Sequence, residues 1–439
     1  MPISIKAFQA TPEANRIDSL DIIRGVAVLG ILLMNIVGMG LPMGAYSDPT
    51  VIGGDTGLNL WAWGINEMLF EGTMRGLFSM LFGAGAILFT SRKEAQGIGL
   101  ALADSWYRRT IWLFIFGMIH AYILLWPWDI LYSYGLLGMF LFPVRNISPK
   151  YLLSLGLFLI LAGTVLQFFD LKDTKDRHAK SKAVEAMIAR GETPSKDQQA
   201  SLDGWNKKIK NWTKTSSKEM EEESDKIRAG YFSAMKARAE ETYFAESMWH
   251  YSTNYFDVLS MMLIGMAFFG WRIFQAERSF LFYGVLLLVG YGVGLPVNWW
   301  ETSLLLNANF DLIATGRVHL THELGRVFTM VGHVGLIMLF CKSGALPLLQ
   351  HAMAAVGRMA LTNYIMHTVI TTTVFVSFAQ FGLWQRHQLY YLVIGIWALQ
   401  IVLSPIWLKY FYFGPLEWVW RALTYLKRPA FRRYQSVTV

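Results

Sequence analysis

The sequence predicts an all-α protein, a polytopic membrane helix bundle of about ten transmembrane helices with both termini cytoplasmic and a charged helical extramembrane insert. Three observations predict it. Of 439 residues, 54% are apolar and 16% charged, whereas a soluble globular chain carries about 25% charged residues. Mean hydropathy is +0.34. The apolar residues gather into runs near the ~20 that cross a bilayer core as helix. The 17 Trp, 19 Tyr and 29 Phe suit membrane–water interfaces, and a single Cys excludes an internal disulfide framework. The net charge of +8 reads as cytoplasmic loops facing anionic lipid and not as a nucleic-acid surface.

In chain order the runs lie at 20–40, 72–90, 108–126, 129–144, 151–169, 254–271, 279–299, 321–341, 355–380 and 389–409. The first lacks a small-residue cleavage site and is kept as a retained helix. Lys and Arg concentrate in alternate short loops: Lys6, Arg16 and Arg24; Arg92, Lys93, Arg108 and Arg109; Arg145 and Lys150; Arg272 and Arg278; Lys342; and the C-terminal tail. The loops between them are poor in positive charge, which places both termini inside. Four regions follow: a bundle at 1–169, an insert at 170–248, a second bundle at 249–410, and an interfacial helix with basic tail at 411–439. The insert holds 16 Lys/Arg and 15 Asp/Glu. It reads as a solvated helical hairpin, broken at Gly191–Glu192–Thr193–Pro194, that caps the external face. In the tail, Pro415 suits a first helical turn, and Glu417 and Arg421 stand i, i+4 as a surface pair.

Ionisable residues within spans cost several kcal/mol and mark pathways or chemistry. Span 1 carries Asp21, Arg24 and Asn35, with Asp21 and Arg24 spaced to pair at i, i+3. Span 3 carries His120, about 16 Å beyond Arg109 along the helix, and Asp129 closes the following turn. Span 8 is the most polar, with His319, His322, Glu323, Arg326 and His333. His322, Arg326 and His333 share one helical face, a stripe suited to a substrate or proton pathway. The order His319-x-x-His322-Glu323 matches neither zincin motif, and no metal is expected. Span 9 carries Arg358, Asn363 and His367. Counted inward from the nearest basic residue, Asn35, His120, His333 and His367 reach similar depths and are expected to line one centre. Histidine is the natural proton-transfer group near neutral pH. The runs Gly83–Ala84–Gly85 and Gly290, Gly292, Gly294 read as close helix packing. No broken helix or inverted repeat is legible.

The stretches Arg16-Ile-Asp18-Ser-Leu-Asp21-Ile-Ile-Arg24-Gly25, Arg75–Gly76–Leu77–Phe78–Ser79–Met80–Leu81–Phe82–Gly83 and Phe116–Gly117–Met118–Ile119–His120 resemble the YeiB-like family of bacterial membrane proteins. Gly357–Arg358–Met359–Ala360–Leu361–Thr362–Asn363–Tyr364 and Phe413–Gly414–Pro415–Leu416–Glu417–Trp418 complete the resemblance, which covers nearly all the chain outside the insert. The family is defined by a domain of unknown function. It is distantly similar to transmembrane acyltransferases, including the lysosomal heparan glucosaminide acetyltransferase and bacterial O-acyltransferases. The resemblance implies a bundle in the bacterial inner membrane that takes an acyl group from cytoplasmic acyl-CoA, such as acetyl-CoA, to an external glycan, lipid or small-molecule acceptor. Asp21, Arg24 and Asn35 match the first-helix pattern of the lysosomal enzyme. That enzyme's catalytic histidine lies in the loop after the asparagine, and residues 36–57 contain none.

Two readings follow. In the first, the chain is an acyltransferase with His120 as preferred base and His333 and His367 as alternatives. Asn35 then orients the base or stabilises an oxyanion, with Asn363 counted in the same catalytic set, and Arg24 and Arg358 hold the CoA phosphates, with Asp21 paired to Arg24 in that cofactor site. In the second it is a transporter or lipid flippase whose pathway uses Asp129, His322, Glu323 and Arg326. Membrane lipids are expected partners under both, nucleic acid under neither, and a homo-oligomer is compatible with each.

Overall fold

A computed structural model describes residues 17–94, 100–212 and 217–433. The first half contains α1 (Asp18–Gly40), α2 (Gly57–Leu69), α3 (Thr73–Glu94), α4 (Leu100–Tyr122), α5 (Ile130–Gly138), α6 (Pro149–Ala189) and α7 (Lys196–Trp212). The second contains α8 (Ser217–Arg228), α9 (Tyr231–Phe244), α10 (Tyr255–Gly270), α11 (Phe280–Asn307), α12 (Leu312–Ser343), α13 (Pro347–Arg358), α14 (Ala360–Thr372), α15 (Arg386–Tyr410) and α16 (Pro415–Tyr425). Among the described residues the β-contact is an isolated bridge between Phe411 and Arg432.

Six segments are long and apolar enough to cross a membrane: α1, Gly57–Ser91, α6, α11, α12 and α15. A seventh is α13 joined to Ala360–Ser377, bent by 81°. The remaining three expected spans correspond to α4, α5 and α10. The nine residues of α5 rise only about 14 Å, so the 129–144 run forms a half-span ending in the short turn Leu141–Val144. Asp129 starts that helix by accepting the Tyr132 N–H at 2.8 Å. The apolar window of α1 is 72% buried, that of α6 only 11% and that of α11 17%. α1 is therefore a central helix, while α6 and α11 face outward with Phe158, Leu161, Leu166 and Leu288 exposed. An apolar surface of this extent belongs against lipid, and the protein is a membrane protein.

Small residues set the helix crossings. A Cβ on Gly25 would stand 2.1 Å from the Met353 carbonyl oxygen, and one on Gly357 1.9 Å from that of Asp21, so α1 and α13 touch backbone to backbone. Gly83 and Gly265 do the same between α3 and α10, and Gly290 and Gly294 between α11 and α12. Gly85 and Gly292 face open space. Each glycine run therefore packs on one side only.

The insert begins inside a helix. α6 starts at Pro149, passes residue 170 without interruption and reaches Ala189, roughly 60 Å in all, about twice a bilayer core. The expected break follows, with Gly191 at φ +81. α7 then folds back, stacking Trp205 on His178 at 4.7 Å. α8 and α9 dock on the bundle end: Arg228 donates to the Phe381 carbonyl at 2.7 Å, Tyr231 to that of Ile123 at 2.6 Å, and Arg238 to that of Gly38 at 3.1 Å.

The expected Glu417–Arg421 pair does not form. Glu417 turns inward and accepts from the Thr362 N–H at 3.0 Å and its hydroxyl at 2.5 Å, while Arg421 lies over the Phe413 ring at 4.5 Å. Thr362 stands in the first turn of α14, whose N–H groups lack helical partners, and a carboxylate there gains more than an exposed i, i+4 pair.

Candidate functional site

Asp129, the N-cap of α5, also faces α4. His120 hydrogen-bonds its Oδ1 through Nδ1 at 2.6 Å. The other ring nitrogen, Nε2, is 2.7 Å from Thr368 Oγ1 on α14. A carboxylate on Nδ1 places the neutral ring's proton there, so Nε2 accepts from the Thr368 hydroxyl. Tyr364, one turn before Thr368, donates to Asp129 Oδ1 at 3.3 Å and lies edge-on to the imidazole at 5.0 Å. His120 is 0% exposed and Thr368 1%. The result is a hydroxyl–imidazole–carboxylate relay in an interior closed to water. The order matches an activated nucleophile or acceptor, a base, and the group orienting that base.

His367 lies across the Tyr364 ring at 6.4 Å. It donates from Nε2 to Gln400 Oε1 at 3.0 Å, and its Nδ1 has no hydrogen-bond partner. Gln400 in turn donates to the Asn363 carbonyl at 2.9 Å. Asn363 donates to the Val356 carbonyl at 3.1 Å and to Ser404 at 3.2 Å. The bond from Asn363 to the Val356 carbonyl ties α14 back to α13 across the break. Asn363 is thus part of the break and not of the relay.

Three turns back along α4 from His120, and within about 20° of its face, stands Arg109. Its guanidinium lies 3.6 Å over Trp420 of α16, whose indole donates to the Arg109 carbonyl at 3.0 Å. The charges of Arg24 and Arg421 act on it. Arg24 makes the expected i, i+3 bond to Asp21 at 2.7 Å. Arg358 closes α13, the helix packed against α1. Partly exposed arginines on several helices form an anion-competent end to the bundle.

A second charged centre lies among α3, α10 and α12. Asp257 bridges Arg75 at 2.5 Å and Arg326 at 2.5 Å, and Arg326 also pairs with Glu323. Arg326 is 1% exposed. His322 faces Glu301 at 3.9 Å from a partly exposed position. His333 accepts at Nδ1 from Tyr291 at 2.7 Å and donates from Nε2 to the Leu69 carbonyl at 2.7 Å.

Residues 268–427 match the family model described as a protein of unknown function (DUF418). The chain is 31% identical to the uncharacterized protein YeiB of Escherichia coli (strain K12), over 92% of this chain and 95% of that one. The chain belongs to the YeiB-like family. It is also 29% identical to the uncharacterized protein YxaH of Bacillus subtilis (strain 168), over 96% of this chain and 97% of YxaH. No solved structure matches it.

In this YeiB-like chain the four residues expected at one depth divide. His120 and His367 share the Tyr364 ring. His333 belongs to the α11–α12 contact, with both nitrogens taken by structural partners. Asn35 is half-buried on α1 and makes no hydrogen bond among the described residues. Depth alone does not select which neighbour a helix face meets. The stripe of His322, Arg326 and His333 is likewise split, because Arg326 is consumed by two carboxylates. Asp129, read as a pathway residue, sits at the heart of the relay. Thr368 and Asp257 lie outside the residues the sequence points to, and Arg75 and Tyr364 stand there only within the family motifs. Asp257 and Arg75 carry a usable signal as charges within spans, whereas a threonine in a span carries almost none.

Proposed function

We infer that this YeiB-like chain is a multi-pass acyltransferase of the bacterial inner membrane. It moves an acyl group from cytoplasmic acyl-CoA to a glycan, lipid or small-molecule acceptor at the external face. The observation that carries the reading is His120, bonded on one side to a buried carboxylate and on the other to a hydroxyl. Asp129 holds the ring and stabilises the imidazolium that forms when Nε2 takes a proton. Arg24, Arg109, Arg358 and Arg421 suit the CoA phosphates, and Arg109 lies about 16 Å from His120 along α4. An extended pantetheine arm spans such a distance, which would set the thioester beside the base while the nucleotide stays at the membrane surface.

The test is acetyl-CoA binding and turnover. Purified protein should gain thermal stability with acetyl-CoA, and membranes carrying it should release CoA as acceptors are acylated. His120→Ala should lower CoA release on the order of 10²–10⁴-fold while sparing acetyl-CoA stabilisation. Arg109→Gln should weaken that stabilisation, more so at low salt. Retained turnover in folded His120→Ala removes it as the base.

The 81° break between α13 and α14 favours a transport reading as a second possibility, since discontinuous helices build many transporter sites. Substrate flux into liposomes, with no acetyl-CoA stabilisation, would select it.

A further inference from the structure

Resting on the acyltransferase reading, we propose that Thr368 is the acyl-carrying nucleophile, so that transfer runs through an ester on its Oγ1. Threonines in helices commonly return their hydroxyl to the carbonyl one turn back. Thr371 does so to His367 at 2.9 Å and Thr373 to Val369 at 2.7 Å. Thr368, in the same segment, instead aims its hydroxyl at His120 Nε2. The base therefore already holds a hydroxyl of the chain itself at its proton-accepting nitrogen, and its other nitrogen is committed to Asp129. For an external acceptor to be activated directly, Thr368 would first have to be displaced.

The step balances without a further reagent. Thr368 Oγ1 attacks the thioester carbonyl carbon as His120 Nε2 takes its proton. The C–S bond breaks, the proton passes to sulfur, and free CoA leaves. In the second half His120 takes the proton of the acceptor hydroxyl, whose oxygen attacks the Thr368 ester. The C–O bond to Thr368 breaks and the proton returns to Oγ1. The burial of both residues excludes water, the competing acceptor, from the ester. A covalent stage also lets the donor leave on one side before the acceptor enters from the other.

Isotope exchange tests this with acetyl-CoA and labelled CoA as probes and no acceptor. The wild-type protein should exchange label between CoA and acetyl-CoA, and rapid quenching should find one hydroxylamine-labile acetyl group on the peptide containing Thr368. Thr368→Val should lower exchange and membrane CoA release at least a hundredfold per folded molecule, beyond the modest fall in Tm expected from losing one buried hydrogen bond, and Thr368→Ser should retain both activities. Undiminished CoA release by Thr368→Val, or wild-type release without exchange or label, overturns the nucleophile and leaves the acyltransferase standing. No CoA release and no acetyl-CoA stabilisation in the wild type overturns both.

Discussion

Gly83 and Gly85 stand two residues apart on α3, and replacing each by alanine should have opposite effects. A Cβ on Gly83 would lie 1.9 Å from the Met262 carbonyl oxygen and 2.7 Å from its carbon, where real contacts stay above 3.0 Å. The obstruction is backbone, so α3 and α10 must separate by about an ångström to admit the methyl. The same crossing is clamped from the other side, where a Cβ on Gly265 would meet the Met80 carbonyl oxygen at 2.0 Å. Overpacking of this kind costs roughly 1–3 kcal/mol. A methyl on Gly85 meets nothing within 4 Å. There the gain in helix propensity, roughly 0.5–1 kcal/mol, stands unopposed. Thermal unfolding of the detergent-solubilised protein, followed by helical circular dichroism, should place Gly83→Ala below the wild type and Gly85→Ala at or above it. Equal stabilities for the two variants would refute the crossing as the source of the effect.

Arg326→Met should destabilise the protein by about 3 kcal/mol, near the low end for breaking a buried pair because Asp257 keeps Arg75, and adding Glu323→Gln should recover part of the loss in the same unfolding assay. Burial, and then the charge of Asp129, raises the Glu246 carboxyl at the end of the insert from 4.5 to about 7. Its folded pKa lies above the unfolded one, so its contribution is full below about 4.5 and is lost as pH rises through about 7. Tm measured from about pH 5 to pH 8 should fall less in Glu246→Gln than in the wild type, and parallel curves would contradict this. Ala200→Cys in a Cys341→Ser background should react with an impermeant thiol reagent on intact cells, and labelling only after lysis would reverse the orientation.

What the sequence determines by itself is what one helix can express. Composition and run length place the apolar helices, the Gly191–Pro194 break ends α6, and the Asp21–Arg24 bond follows from spacing of three residues on a single turn. Wherever a side chain's partner lies on another helix, periodicity gives its direction and depth but not what it meets. Counted inward along their helices, His120 and His333 are expected at similar depths. One faces Asp129 and Thr368, the other a tyrosine and a backbone carbonyl, because the elements set beside each ring, α5 and α14 for His120 and α11 and the end of α2 for His333, decide the neighbour. Glu417 shows the same division. Its spacing to Arg421 permits a surface pair, but the unpaired N–H groups of α14 lie within reach only once the chain is folded, and they draw the carboxylate inward. The relay from Thr368 to Asp129 joins three segments up to 248 residues apart, and no local rule of helix geometry reaches that far.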